Sequence, residues 1–265
     1  MAANSFRNSF QYRAAAMAGM FTQVFWGLIM IMVLDAFYKR SSGNAPISLD
    51  QAVTYIWLGQ AFLSLLPWSF DRSIQAMIYD GRVSYDFVRP QSVYWLWFAR
   101  TLGWRTASAT LRAFPLLVFA VWGMKLLGMP DLAISAPAGI AEFFAFALSL
   151  FSAAILGTVI TMMINVSMIW TVSGVGTVAV VSAVVTLFSG MVVPLPLFPG
   201  WTQKIISILP FRGLVDVPFR LYSGHLPVNQ FPVTLLHQWL WTIGLALCGM
   251  AFLKKGAKAL AVQGG

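Results

Sequence analysis

The sequence predicts an all-α polytopic membrane protein, with about six transmembrane helices and a proline-broken segment before the last. Three observations lead there. Only 9% of the 265 residues are Asp, Glu, Lys or Arg, against about 25% in a soluble domain. Hydrophobic residues, 59% of the chain, gather in runs long enough to cross a bilayer, which takes about 20 residues. The short alternating segments of a membrane β-barrel are absent from the sequence.

The elements follow in order. After an N-terminal segment, residues 1–13, the uncharged stretch 14–34 between Arg13 and Asp35 forms the first span. The polar, turn-rich link YKRSSGNAPISLD leads to the second span, residues 51–70. Tyr94–Trp104 reads as a helix at the membrane surface, because Trp and Tyr favour the headgroup level. The third span then covers 106–127. From 143 to 203 the chain carries no Asp, Glu, Lys or Arg, a run of 61 residues. That suits two spans, 139–164 and 174–193, with the polar stretch NVSMIWTVSG (165–174) as the turn between them. Residues 194–232 hold Pro194, Pro196, Pro199, Pro210, Pro218 and Pro227. Proline breaks helix interiors, so this segment forms short helices lying on or dipping into one face. The last span, 233–253, precedes a tail, 254–265, with Lys254, Lys255 and Lys258.

Six spans put both termini on one side. Eleven basic residues (Arg7, Arg13, Arg72, Arg82, Arg89, Arg100, Arg105, Arg112, Lys254, Lys255 and Lys258) fall on that side and six on the other. The positive-inside rule makes the side with eleven cytoplasmic. The stretch YDGRVSYDFVRPQ (79–91) then lies in the cytoplasm between the second and third spans. Water and partner proteins satisfy charges of both signs there. The net charge of +9 follows the apolar runs, so topology and anionic headgroups account for it and nucleic acid does not.

Reactive motifs are absent. No G-x-x-x-x-G-K-[ST] loop is present to cradle phosphates, and no H-E-x-x-H or G-x-S-x-G. His225 and His237 have no nearby thiols or carboxylates, which argues against a metal site. Cys248 is alone and pairs with no other cysteine of this chain. The chain is therefore not expected to be an enzyme or to bind a cofactor itself.

The order of short motifs resembles a known family. Tyr12-Arg13 opens the first span and DAFY (35–38) closes it. VTYIWLGQAF enters the second, then come IYDGRVSYDFVRP and FSGMVVPLPLFPGW…LPFRGLVDVPFRLYSG. This series is similar to the permease subunits of type 2 ABC exporters, in the bacterial branch that pairs two permeases with one ATPase. The resemblance implies a plasma-membrane location and a cytoplasmic ABC ATPase dimer that binds ATP and Mg. It also implies a second permease, either a related chain or a copy of this one. The loop between the second and third spans would hold a coupling helix docking on the ATPase, and 194–232 would form re-entrant helices on the outer face. The runner-up, an ATP-independent secondary transporter or channel, predicts charged or broken helices near mid-membrane.

Candidate residues follow. For ATPase coupling they are Asp71, Arg72, Asp80, Gly81, Arg82, Asp86, Arg89 and Pro90. Mixed charges give orientation and partner discrimination, Gly81 permits a turn, and Pro90 ends the segment. For a gate or substrate path they are Arg112, Trp201, Phe211, Phe219 and Tyr222. Arg112 either meets an anionic group or snorkels to the interface. Its place about 10 Å along the helix from Arg105 fits snorkelling. Glu142 reads as interfacial. Ser149, Ala153, Gly157, Thr161 and Asn165 recur every four residues, a stripe of small and polar side chains suited to close helix packing.

Overall fold

The computed structural model describes the backbone of residues 2–40, 45–88 and 90–263, and the side chains of 19–40, 45–87 and 90–257. Arg89 and the side chains of Arg7, Tyr12, Arg13 and Lys258 lie outside the described residues. Among those described there are helices and no strand. Four helical stretches are long and apolar enough to cross a membrane: Gly19–Arg40, Val93–Leu126, Ile140–Thr171 and Val228–Ala257. The first lies within α1 (Ala2–Arg40).

The second span differs from the expected helix over 51–70. α2 (Leu49–Ala61) opens with a capping box: the Ser48 hydroxyl accepts from the Gln51 amide, and the Gln51 side chain accepts from the Ser48 amide. Every residue from Ala52 to Ala61 is buried. At 1.5 Å per residue α2 is about 20 Å long, short of a hydrocarbon core of about 30 Å. A 3-10 turn, Leu63–Leu65, and extended chain cover the rest. Pro67 ends the helical run, since it forces Leu66 out of the helical region, to ψ 145°.

α3 (Arg72–Tyr79) and α4 (Val83–Val88) follow. α5 (Val93–Val118) then runs through a π turn, Phe119–Gly123, into α6 (Met124–Leu126). The separate surface helix expected over Tyr94–Trp104 is thus corrected: it is the base of one rod of 34 residues, about 51 Å long. The reason is an unbroken packing stripe of Val93, Tyr94, Trp97, Thr101, Arg105, Ala109, Ala113 and Leu116. From Tyr94 onward its three- and four-residue steps keep one helix face buried. The proline at 115 donates no amide, and the π turn begins four residues later. The Ala120 carbonyl accepts from the Ile134 amide at 3.2 Å, tying the 127–139 link to the rod.

α7 (Ile140–Thr171) is the central element, packed against α5, α10 and α11, with most of its residues buried. The turn expected over 165–174 is corrected to Val172–Gly174, because the polar residues before it are used inside the helix. Ser167 Oγ donates to Ile164 O and Thr171 Oγ1 to Ser167 O. Val172 takes a left-handed φ of 59° to end the helix. α8 (Val175–Phe188) is the short counterpart of the fifth span.

The proline-rich segment does form short helices: a 3-10 turn Leu195–Leu197, α9 (Gly200–Ile208), a 3-10 turn Pro210–Leu214, α10 (Asp216–Tyr222) and a 3-10 turn Val228–Gln230. It dips inward. Leu214 Cδ2 lies 3.6 Å from where a Cβ at Gly157, midway along α7, would sit. α11 (Phe231–Gln263) then returns along α7. The links at 45–48, 127–139 and 223–230 gather at one end of the bundle, and α3, α4 and the base of α5 gather at the other.

Candidate functional site

The charged stretch divides into anchored and projecting residues. Asp71 caps α3: its Oδ1 accepts from the Ser73 amide at 2.8 Å, the Ser73 hydroxyl at 2.6 Å and the Ile74 amide at 3.3 Å. Such a cap stabilises by about 1 kcal/mol. Asp71 Oδ2 also meets Arg100 Nε at 3.0 Å, and its backbone amide donates to Asn165 Oδ1 at 3.0 Å. Asp86 is buried and accepts from Trp97 Nε1 at 3.1 Å. Ile74 and Val83 join the apolar core of Trp97, Val159 and Leu253. Asp71 and Asp86 therefore bind the segment to the bundle.

Between them the chain projects. Gly81 has φ +71°, the left-handed position that glycine adopts without strain, and beyond its chain neighbours nothing lies within 4 Å of where a Cβ would sit. Asp80 and Arg82 flank it and pair with each other at 2.6 Å, largely exposed. Tyr79 and Tyr85 are 79% and 72% exposed, which leaves both rings without a packing surface. Arg72 and Pro90 are exposed as well. Sequence reasoning singled out the charges but not the two tyrosines, whose flanking of Gly81 was the available signal.

Inside the bundle Arg105, not Arg112, is the buried cation among the described residues. Arg105 is 1% exposed. Its Nη2 donates to Leu65 O at 2.6 Å and its Nη1 to Thr161 Oγ1. It therefore satisfies the backbone that the break after α2 leaves open, which a membrane interior demands. Gly157 makes room, since a Cβ there would stand 2.7 Å from Leu65 O. Arg112 is half-buried beside Gly19 on α1. Glu142 folds back over Gly139 at the start of α7, where a helix N-terminus favours negative charge.

The re-entrant segment is held the same way. Gln238, fully buried on α11, donates from Nε2 to Gly213 O at 2.7 Å and to Ser149 O at 3.1 Å. Asp216, buried, accepts from Arg220 Nη1 at 3.1 Å. Arg220 Nε donates to His225 Nδ1 at 3.0 Å, and His225 Nε2 meets Pro46 O at 3.0 Å. Three of the four aromatic gate candidates, Phe211, Phe219 and Tyr222, belong to or pack against one apolar core, and Trp201 stands apart. Phe219 is buried edge-on against Tyr55. Tyr222 packs on Phe146, and its hydroxyl donates to Ser135 O. Phe211 stacks on Phe188 of α8, and Trp201 is 69% exposed.

A helical bundle with a dipping, internally satisfied segment and a firmly seated, projecting turn has the build of a membrane permease. Comparison with known families gives the particular group: the ABC-2 family transporter protein matches over residues 28–264, and the chain belongs to that family. It is the membrane permease of an ABC transporter, the subunit that associates with an ABC ATPase. No curated protein and no solved structure matches the chain.

Proposed function

We propose that this chain is a permease of an ATP-driven exporter in a bacterial plasma membrane, with both termini cytoplasmic. It moves a hydrophobic or amphipathic substrate outward. ATP and Mg bind in a cytoplasmic ATPase dimer, and a second permease, related or identical, completes the membrane part. The ATPase docks on the turn from Tyr79 to Tyr85. Force enters there and reaches the bundle through Asp71–Arg100, Asp71–Asn165 and Asp86–Trp97.

The observation that carries this reading is the contrast within one short stretch. Its ends are fastened to the core by buried or capping carboxylates, while two tyrosines and an ion pair are left at the tip. A solvated loop needs no such fastening, whereas an element that transmits displacement does. Exposed aromatic residues at an interface centre are worth about 2 kcal/mol or more each, roughly thirtyfold in affinity.

The test is affinity capture of the tagged chain from its native membrane in mild detergent, with protein identification and an ATPase assay. An ABC ATPase should accompany the wild type and be lost from Tyr79→Ala/Tyr85→Ala. Capture of no nucleotide-binding protein by the wild type, or undiminished capture by the double variant, would sink the docking assignment. A related permease in the same complex would establish a heterodimer.

A further inference from the structure

A cavity of about 530 Å³ opens between the start of α3, α5 and α7, within the range of small-ligand sites. Asp71, Arg72, Arg100, Thr101, Trp104 and Thr161 line it. Arg100 lies seven residues into the rod, roughly 10 Å from its base. The cavity thus sits where the charged loop meets the apolar bundle. Trp104, 53% exposed, stands at its edge on the outer surface of the rod.

Its charge balance is positive. Arg72 and Arg100 face one carboxylate, Asp71, which is already committed to Arg100 and to the α3 cap. Arg105 stands directly behind the wall, with Nη1 on the hydroxyl of Thr161. Among the described residues its hydrogen-bond partners are neutral and no carboxylate pairs with it. A buried cation without a counter-charge is costly, by several kcal/mol, and an anion in the adjoining cavity relieves it.

Thr101 supplies a second, independent mark. It is 4% exposed and its Oγ1 has no partner. Thr106 and Thr110 on the same helix each donate to the carbonyl one turn back, the usual resolution for a helical threonine. Thr101 does not: the residue lines the cavity, with its hydroxyl tucked beneath the wall. Arg105 Nε is also buried without a partner.

We propose that this cavity binds an anionic phosphate or carboxylate group. The group is carried by an amphiphile whose apolar part lies along Trp104, and the cavity is where the exporter takes up its substrate from the cytoplasmic leaflet. The uptake role rests on the exporter reading above, whereas the binding itself does not. Arg72 and Arg100 draw the anion in, the unpartnered Thr101 hydroxyl rotates out from beneath the wall to donate a hydrogen bond, and Arg105 supplies field from behind.

The full-length chain, in detergent without nucleotide or ATPase, is exposed to equal amounts of phosphatidylglycerol and phosphatidylcholine with the same acyl chains. Retained lipid is counted by native mass spectrometry, with and without inorganic phosphate. The wild type should prefer phosphatidylglycerol about tenfold, as one charge-assisted contact gives. Thr101→Val and Arg72→Gln should each erase most of that preference. Thr101→Val keeps the side-chain shape and Arg72 is exposed, so neither disturbs packing. Displacement by millimolar phosphate with no lipid preference assigns the site to a soluble anion, and persistence of the preference assigns it to a lipid-borne one. No preference and no phosphate binding, or variants that bind like wild type, overturns the proposal. ATPase capture is read separately, so loss of the exporter reading and loss of this site give different results.

Discussion

Arg105 Nη2 donates to the carbonyl oxygen of Leu65 across 2.6 Å, joining the middle of one spanning rod to the point where the second span stops being helical. Gly157 stands opposite. Its missing Cβ would come within 2.7 Å of that oxygen, a backbone atom that cannot swing away. Gly157→Ala should therefore destabilise the bundle by about 1–3 kcal/mol. Gly139→Ala meets only the end of the flexible Glu142 side chain and should be close to neutral. Thermal melts of the two variants in one detergent decide it, and equal melting temperatures would refute the close approach.

Gln238→Leu keeps the side-chain volume but orphans the Gly213 carbonyl. An unsatisfied buried acceptor costs about 1–3 kcal/mol. The loss should localise: hydrogen exchange should rise in 208–216 and stay unchanged in 71–88. A uniform rise would mean that Gln238 does not specifically hold the re-entrant turn.

His225 links three segments through Arg220 and Pro46. Burial, then the Arg220 charge, holds its imidazole below the ordinary 6.5, against the Pro46 carbonyl and Asp216, which act the other way. The fold therefore favours the neutral ring. Its contribution is present above the unfolded value of 6.5 and is lost as pH falls through the lower folded value. The melting temperature should drop on acidification from about pH 7 to 5, and His225→Gln should lose that part of the slope. An unchanged slope in the variant would exclude His225 as the source.

Phe211 and Phe219, both gate candidates, differ in burial. Phe219 is buried against Tyr55, and Phe219→Ala should lower stability by about 3–5 kcal/mol. Phe211 is half-buried on Phe188, and Phe211→Ala should leave a folded, ATPase-bound chain with leaky or stalled export. Normal transport in Phe211→Ala would remove it from the path.

Much of this was legible in the chain itself. The turn at Gly81 and the short proline-broken helices follow from local chemistry. Asp86 was not separable from Asp80, because its partner Trp97 lies eleven residues away on another helix. Arg105 was hidden for a similar reason: its burial depends on where the rod begins. With a start at Val93 it falls inside the membrane, and with a start near 106 it sits at the edge. Half of its partnership was visible as the stripe with Gly157 and Thr161, whose purpose needs the Leu65 carbonyl to appear. The end of the helical run at Leu65 was written in Pro67 but outweighed by the apolar run around it.

The rod from Val93 to Leu126 touches both ends of the molecule, through Trp97 and Arg100 at its base and through Ala120 near its tip. Over about 51 Å, a tilt of roughly 5° at the base displaces the tip by about 4 Å. On the proposed docking, a modest push on the projecting turn would be geared up into a movement as large as a side chain at the opposite end of the rod. The proline and π turn near the far end are where such a lever would bend.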